Sequence, residues 1–453
     1  MAERSNKGRI SRASRIAGVG AGHAARTVRA RMTRDEEKRA EAIKRSHMET
    51  ADRLVTVLGS MKGAAMKLGQ TFSVIDVGMV PEDFREEFQA KLAKLQAMAE
   101  PRPFKDMKRV VEQDLGSKLG AVFSDFAEEP IAAASIGQVY RATLRDGGQD
   151  VAVKVQYPGV KDMVRADLQN LGLALKLLAR ISPGLDSREI ADEVRERITE
   201  ELDYELEADN HRALAREYRR HPFVFVPQVF TEHCRERVIV TEYAEGERFQ
   251  WLIEQPEDAR NEYAEKLFRF YCNGPFRHRL LNGDPHPGNS LFMADGRVAF
   301  LDFGFFKRMS ANERDTQLRI LRAVYEGDED ELFTISVEQG IMKSDAPAEA
   351  RAQFMQLYRV LTGWFLEDDD VTITPDVATS AILEHSSLRG PGFKDIELPA
   401  DQIVAARAYM LVLAILGQLQ ATNNWFSIGR ETVFGDEPVT ELGRVEADWL
   451  ATR

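Results

Sequence analysis

The sequence of 453 residues predicts an α+β fold of two lobes, a small β-rich lobe followed by a large α-helical one. Three observations carry that expectation. Between Pro130 and Gly246, short runs alternate apolar and polar residues and are closed by turn signals. Beyond Pro256 the periodicity is almost wholly helical. The segment Glu100-Pro101-Arg102-Pro103 sets both apart from a leading quarter of helical composition. At roughly 150 residues per domain the length has room for two or three cores. The expected boundaries are a mobile basic tail at 1–45, a helical extension at 46–120, the small lobe at 121–246 and the helical lobe at 247–453.

In chain order, residues 1–34 carry nine Lys or Arg against Glu3 alone, a net +8, while the rest of the chain brings the total to -12. The overall charge excludes a protein that coats nucleic acid with its whole surface. Helix composition runs from Glu36 to Leu58 and on through Gln70, and Val80-Pro81-Glu82-Asp83-Phe84 starts another helix with Pro in its first turn. A β-hairpin follows: Gln138 to Leu144 alternates, Asp146-Gly147-Gly148 turns, and Asp150 to Gln156 returns with Val151, Val153 and Val155 on one face. Helices are expected over Val164 to Arg180 and Ser187 to Arg219, and strands over Val224 to Phe230 and Arg237 to Tyr243.

Two cysteines, Cys234 and Cys272, exclude a disulfide scaffold or zinc ribbon and fit a reducing, cytoplasmic compartment. The most apolar run, Ala408 to Gly417, is ten residues long and is followed by Gln418, Gln420, Asn423 and Asn424. About 20 apolar residues are needed to span a bilayer, so this run is expected as a buried helix, with no transmembrane span.

Chemistry concentrates in a few segments. Lys154 stands mid-strand in Val151-Ala152-Val153-Lys154, where a buried ammonium requires an anionic partner. Before it, Ala132, Ala133, Ala134, Ser135, Ile136, Gly137 and Gln138 form a run of small residues that allows close backbone approach to a phosphate. After it, Glu201, Asp203 and Glu207 mark an acidic helix. The Pro/Gly-stiffened loop Gly283-Asp284-Pro285-His286-Pro287-Gly288-Asn289 precedes Leu301-Asp302-Phe303-Gly304. A carboxylate and an amide on a stiff loop, with a second carboxylate nearby, form the hard-oxygen set that nucleotide-bound Mg²⁺ takes. In this order the segments describe a protein-kinase-like ATP site. Its usual His-Arg before the acidic residue is replaced by Asn282-Gly283, and His286 occupies a position that is Lys in many protein kinases. Ser310, only six positions after Gly304, opens a capping box with Glu313, which leaves no room for an activation segment.

On these residues, together with Lys67-Leu68-Gly69-Gln70, the chain resembles the UbiB/AarF family of atypical kinases, relatives of the mitochondrial coenzyme Q kinase-like proteins. Lys67 to Gln70 matches the family's K-x-G-Q, Ala132 to Gln138 its alanine-rich nucleotide loop, and Glu201-x-Asp203 its E-x-D. The resemblance implies a bilobal kinase-like fold in which Lys154 pairs with Glu207 and meets the α- and β-phosphates. It further implies that Asp284 stands where a kinase's base stands, that Asn289 and Asp302 hold Mg²⁺, and that Glu242 and Tyr243 lie beside the nucleotide. Lys67, with Gln70, would reach Glu201 and Asp203 and close the cleft to protein substrates. Glu201 and Glu207, six apart, lie about 120° apart around a continuous helix, so each can serve a different lysine.

What the family implies in function is Mg-ATP or ADP binding with slow turnover, linked to a lipid-like, small-molecule or isoprenoid-quinone ligand. The alternative is a nucleotide-sensing binding protein without useful chemistry. Bacterial UbiB carries C-terminal transmembrane helices that are not matched here. Peripheral membrane contact would fall to the basic tail, at roughly 1 kcal/mol per Lys or Arg near an anionic surface; a solvated arm, or nonspecific rather than specific nucleic-acid contact, are the other readings of that tail.

Overall fold

The computed structural model describes residues 102–134, 136–165, 199, 202–378 and 400–453. Lys67, Gln70, Ser135 and Glu201, the basic tail and most of the expected helix from Val164 lie outside the described residues. The chain divides into two compact units, Met1–Tyr204 with His233–Val240, and Glu205–Glu232 with Thr241–Arg453.

The first unit begins with α1 (Phe104–Leu115), which buries Met107, Val110 and Val111 and ends on Gly116 in the left-handed region that glycine adopts without strain. After the short α2 (Leu119–Val122) come β1 (Phe123–Phe126), β2 (Ala132–Ala134), β3 (Gly137–Leu144), β4 (Asp150–Gln156) and, later in sequence, β6 (Val238–Glu242). They form one sheet in the order β1-β3-β4-β6, with β2 also paired to β3. The expected hairpin is present from Gly137↔Gln156 to Thr143↔Asp150. Strand period two puts Val151, Val153 and Val155 on the buried face, all fully buried. Tyr140, Phe126 and Phe104 pack at ring separations of 5.5 to 5.9 Å and join α1 to the sheet. Asp114 on α1 accepts from the Arg237 backbone at 2.7 Å and from its guanidinium at 2.9 Å, tying the helix to the chain entering β6.

Two expectations are corrected here. The small-residue run is a strand, not an open loop: Ala132↔Val139, Ala133↔Gln138 and Ala134↔Gly137 pair antiparallel. Nor is the helix expected from Ser187 to Arg219 continuous, because Leu202 and Asp203 are non-helical and α3 runs Tyr204–Glu217. The Leu202 carbonyl accepts from Gln156 Nε2 at 3.0 Å, so this oxygen bonds a side chain of β4 where a helix would spend it on the backbone four residues on.

The second unit holds most of α3 and the rest of the chain. β5 (Val224–Phe225), β8 (Ser290–Phe292) and β9 (Val298–Phe300) form a small sheet in which β5 is parallel to β9. Of the expected strand to Phe230 only Val224–Phe225 is regular; Val229 adds a single bridge to Thr241. β7 (Leu280–Asn282) pairs with β10 (Phe306–Arg308), and β11 (Val371–Thr372) with β12 (Thr422–Asn423). The helices are α4 (Phe249–Ile253), α5 (Glu257–Phe268), α6 (Gly274–His278), α7 (Ala311–Glu326), α8 (Glu329–Glu338), α9 (Ala348–Thr362), α10 (Ala400–Leu419), α11 (Trp425–Val433) and α12 (Glu441–Ala451). A π-turn, Arg269–Asn273, lies between α5 and α6. The apolar run at Ala408 to Gly417 falls inside α10, whose Val412, Leu413, Leu416 and Leu419 pack with Phe268, Phe300, Trp425 and Ile428 in one core. No described helix is long and apolar enough to cross a membrane.

Within this unit a charged cluster is buried as deeply as the apolar core. Arg269, 1% exposed, bonds Glu265 at 2.8 Å, Glu431 at 2.7 and 2.9 Å, Glu446 at 3.0 Å and Thr440 at 3.0 Å. Glu446, on α12, also pairs with Arg277 at 2.5 Å and approaches His221 Nε2 at 3.4 Å. Burial alone would push the Glu446 pKa up, but the His221 hydrogen bond and the Arg277 and Arg269 charges hold it down at about 2. Because that lies below the ordinary value of 4.5, Glu446 stabilises the fold above pH 4.5 and loses this contribution as pH falls towards 2. Glu446→Gln is expected to make the pH dependence of unfolding shallower across that window in urea titrations. Arg269→Leu strands three buried carboxylates and is expected to lower the unfolding free energy at pH 7 by about 3–5 kcal/mol.

Candidate active site

In the first unit, strand alternation sets Lys154 on the face opposite the three valines, and it is half-buried. Its Nζ lies 5.2 Å from the ring centroid of Tyr204, the first residue of α3, within cation–π range. The β2–β3 hairpin runs alongside. A Cβ on Gly137 would stand 2.2 Å from the Val155 carbonyl oxygen and 3.0 Å from the Tyr204 hydroxyl, so this position accepts only glycine. Ala132, Ala133 and Ala134 hold the outer strand, and the Ile136 carbonyl accepts from Tyr157 N at 2.8 Å. Gln138 turns inward: its side chain accepts from Arg102 N at 2.6 Å and donates to Tyr140 Oη at 2.9 Å. Asp203 is exposed just before α3.

The acidic positions gather in the second unit. Helical period places Glu207, Asn210 and His211 on one buried face of α3. Asn210 Nδ2 donates to the Phe303 carbonyl at 3.4 Å, and the His211 ring stands edge-on to Phe303 at 4.6 Å. The Gly304 N–H donates to Asp302 Oδ1 at 3.0 Å, the tight local turn an Asp side chain makes with a residue two ahead. A Cβ at Gly304 would lie 3.4 Å from Asp302 Oδ1 and 3.8 Å from Glu207 Oε2, so both carboxylates flank one point of backbone.

The loop carrying Asp284 and Asn289 is held on two sides. Asn282, buried at the end of β7, donates through Nδ2 to the Asp302 carbonyl at 3.2 Å and accepts through Oδ1 from Asp284 N at 3.1 Å. Asn289 Nδ2 donates to the Asp284 carbonyl at 3.2 Å, which turns its Oδ1 the other way, and the Asn289 carbonyl accepts from Leu301 N at 2.9 Å. His286 is exposed and its Nδ1 accepts from Gly288 N at 3.0 Å, so it serves as a cap within the loop. Glu242 and Tyr243 are half-buried at the end of β6, where the Glu242 carboxylate accepts from Gln228 N at 3.3 Å. The capping box of Ser310 and Glu313 is present and starts α7 directly after β10.

Asn282 escaped the reading of the sequence as a site residue. The signal was there: a polar residue ends the apolar run Leu280-Leu281, and a buried amide must find partners. Asn210 and His211 were likewise hidden in an acidic helix that reads as solvated surface.

Asp302 and Asn289 offer hard oxygens suited to a divalent cation. No cluster of three His, Cys, Asp or Glu side chains occurs among the described residues, so a cation here would complete its shell with substrate oxygens and water, the habit of Mg²⁺.

A family comparison decides the class. The ABC1 atypical kinase-like domain matches residues 94–336. The chain belongs to the UbiB/AarF family of ABC1 atypical kinases. Among its relatives, the Arabidopsis thaliana chloroplastic protein Activity of BC1 complex kinase 8 is 32% identical over 61% of this chain and 37% of its own length. The Rattus norvegicus mitochondrial atypical kinase COQ8B is 31% identical over 62% of this chain and 53% of its own. The chain thus spans about half the length of the curated relatives it matches. Among solved structures, the Rv3197–erythromycin complex from Mycobacterium tuberculosis is 31% identical and covers 88% of this chain and 98% of that one, with a TM-score of 0.60. The fold of this ABC1 member is accordingly kinase-like, with its β-rich and helical units as described.

The glycine preceding Asp284 gives a direct test of the loop's packing. Gly283 donates to the Phe305 carbonyl at 2.9 Å, and a Cβ there would lie 2.2 Å from the Phe305 ring. Gly283→Ala is expected to lower the unfolding free energy by about 1–3 kcal/mol, the usual range for overpacking. Adding Phe305→Leu should restore part of that loss in the same denaturation assay.

Proposed function

We propose that the chain binds Mg-ATP or ADP and turns it over slowly, coupling the cycle to a lipid-like or small apolar ligand rather than to a protein substrate. The observation that carries this reading is the hydrogen-bonded assembly of Asp284, Asn289 and Asp302, tied through Asn282, with Glu207 beside Gly304. In the proposed roles, Lys154 and Glu207 orient the phosphates, Asn289 and Asp302 hold the cation, and Asp284 accepts the proton of the attacking hydroxyl or water. Bound Mg²⁺ supplies charge neutralisation at the phosphates. Gly137 and the alanine strand lie against the nucleotide through backbone, with Glu242 and Tyr243 beside it; Lys67, Gln70, Glu201 and Asp203 gate access.

The ligand class draws on two relationships. Similarity to Rv3197, solved with erythromycin, supports a bulky small molecule, and kinship with COQ8-type kinases supports an isoprenoid-quinone pathway. A cytoplasmic location with peripheral membrane contact through the basic tail completes the proposal.

A second reading, nucleotide sensing without useful turnover, is favoured by His286. Its Nδ1 is taken up by a hydrogen bond from Gly288 N within the loop, at the position where many kinases place a lysine. Phosphate release and calorimetric nucleotide binding, measured on wild type, Asp302→Asn and Asp284→Asn, separate the two. The enzyme reading expects turnover that falls by at least about 100-fold in Asp284→Asn while binding persists, consistent with the contribution of a positioned base. Equal background release from all three, with intact binding, selects the sensor, and absence of nucleotide binding in wild type defeats both.

A further inference from the structure

Two side chains on one face of β4 grip the chain where α3 begins. Period two along the strand sets Lys154 and Gln156 on the same face, and these residues belong to the first unit, as do Leu202 and Tyr204. Gln156 is fully buried and its base is fixed, because its backbone pairs with Gly137 on one side and its N–H donates to the Arg237 carbonyl at 3.0 Å on the other. From there its Nε2 reaches the Leu202 carbonyl at 3.0 Å. Leu202 N in turn donates to the Thr199 carbonyl at 3.2 Å, so a turn closes on residue 202 and the helix starts afresh at Tyr204.

The consequence falls on Tyr204, two residues beyond the carbonyl that Gln156 holds. It is 1% exposed, and the Lys154 Nζ stands over its ring, 5.2 Å from the centroid. The tyrosine also reaches Gly137, where an added Cβ would come within 3.0 Å of its hydroxyl, so the glycine leaves the space that the side chain fills. An aromatic face attracts an ammonium, more strongly where water is partly excluded, and Lys154 is half-buried. The four-carbon stem of a lysine lets its charge sample many positions, and a fixed ring beneath it narrows that range before any ligand binds.

We propose that the Tyr204 ring is the seat of the Lys154 ammonium and that Gln156, through the Leu202 carbonyl, holds the seat in place; the two are positioning residues that pre-organise the lysine for nucleotide phosphates. The inference rests on the proposed phosphate role of Lys154. Because both residues act through Lys154, loss of either weakens only the part of nucleotide affinity that the phosphates supply.

The test compares ADP with adenosine, which lacks the phosphates, on the full chain with Mg²⁺ present. ADP binding is read by calorimetric titration and adenosine by displacement of ADP, for wild type, Tyr204→Phe, Tyr204→Leu, Gln156→Met and Lys154→Met, and for Tyr204→Leu and Gln156→Met each combined with Lys154→Met. Tyr204→Leu and Gln156→Met should each weaken ADP by about 3- to 10-fold, the scale of one cation–π contact, and leave adenosine unchanged. Tyr204→Phe, which keeps the ring face, should stay near wild type, and neither substitution should cost anything further once Lys154 is Met. Unchanged ADP affinity in either variant overturns the seat, with or without a lower melting temperature; so does equal weakening of adenosine, or an undiminished loss in the Lys154→Met background. Should Tyr204→Leu fail to fold, Gln156→Met decides by the same readings. If Lys154→Met binds ADP as tightly as wild type, the phosphate role of Lys154 itself fails, and the seat falls with it for that separate reason.

Discussion

The side-chain amide of Asn282 joins two pieces of backbone, the acidic loop and the Asp-Phe-Gly segment, from the end of β7. Its two ends are used in opposite senses, the NH₂ toward the Asp302 carbonyl and the oxygen toward Asp284 N. Buried amides that leave a group unsatisfied cost about 1–3 kcal/mol, so the side chain has one orientation that meets both demands. Through it, the acidic loop and the Asp-Phe-Gly segment hold fixed backbone positions before any ligand arrives. The helix α3 adds the third side: Asn210 and His211 hold Phe303 by carbonyl and ring, and Glu207 stands over Gly304.

That arrangement places several polar groups where an apolar core would otherwise close, and the surrounding structure compensates. Stacked Phe270 and Phe300, 3.6 Å apart, fill the space beneath the site, and α10 contributes a nearly continuous apolar surface on the far side. The Arg269 cluster is a different case. Ion pairs this deep add little net stability compared with apolar packing, yet their geometry is exacting. Burial opposes the charge on Arg269, and Glu431, Glu265 and Glu446 more than restore it. The cluster therefore acts as a register lock, fixing α12 and the π-turn to one alignment.

Much of this was legible in the order of residues, and the limits have physical causes. The β3–β4 hairpin announced itself because valines recur at period two and Gly147 and Gly148 take the positive φ values of 80° and 66° its turn demands. The capping box at Ser310 was equally plain, since both partners are local. Ala132–Ala134 was not, because alanine carries no strand preference and its pairing is imposed by β3. The break before Tyr204 depends on Gln156, 46 positions away, and the role of Asn282 on a residue 20 positions ahead. The acidic positions can be singled out by their spacing, while the amides that hold the loop are common residue types whose importance comes only from their neighbours.

The short path from Gly304 to α7 bears on what kind of site this is. Within six residues the chain pairs Phe306 with Asn282 and Arg308 with Leu280, then enters a capped helix. Phe305 is pinned over Gly283 by the same pairing, because its carbonyl accepts from Gly283 N. A segment spent in this way on closing the acidic loop has no slack to swing in and out. Assembly of the second-unit carboxylates is thus a consequence of folding, and any control over such a site must act through ligand access or through the elements that set its register.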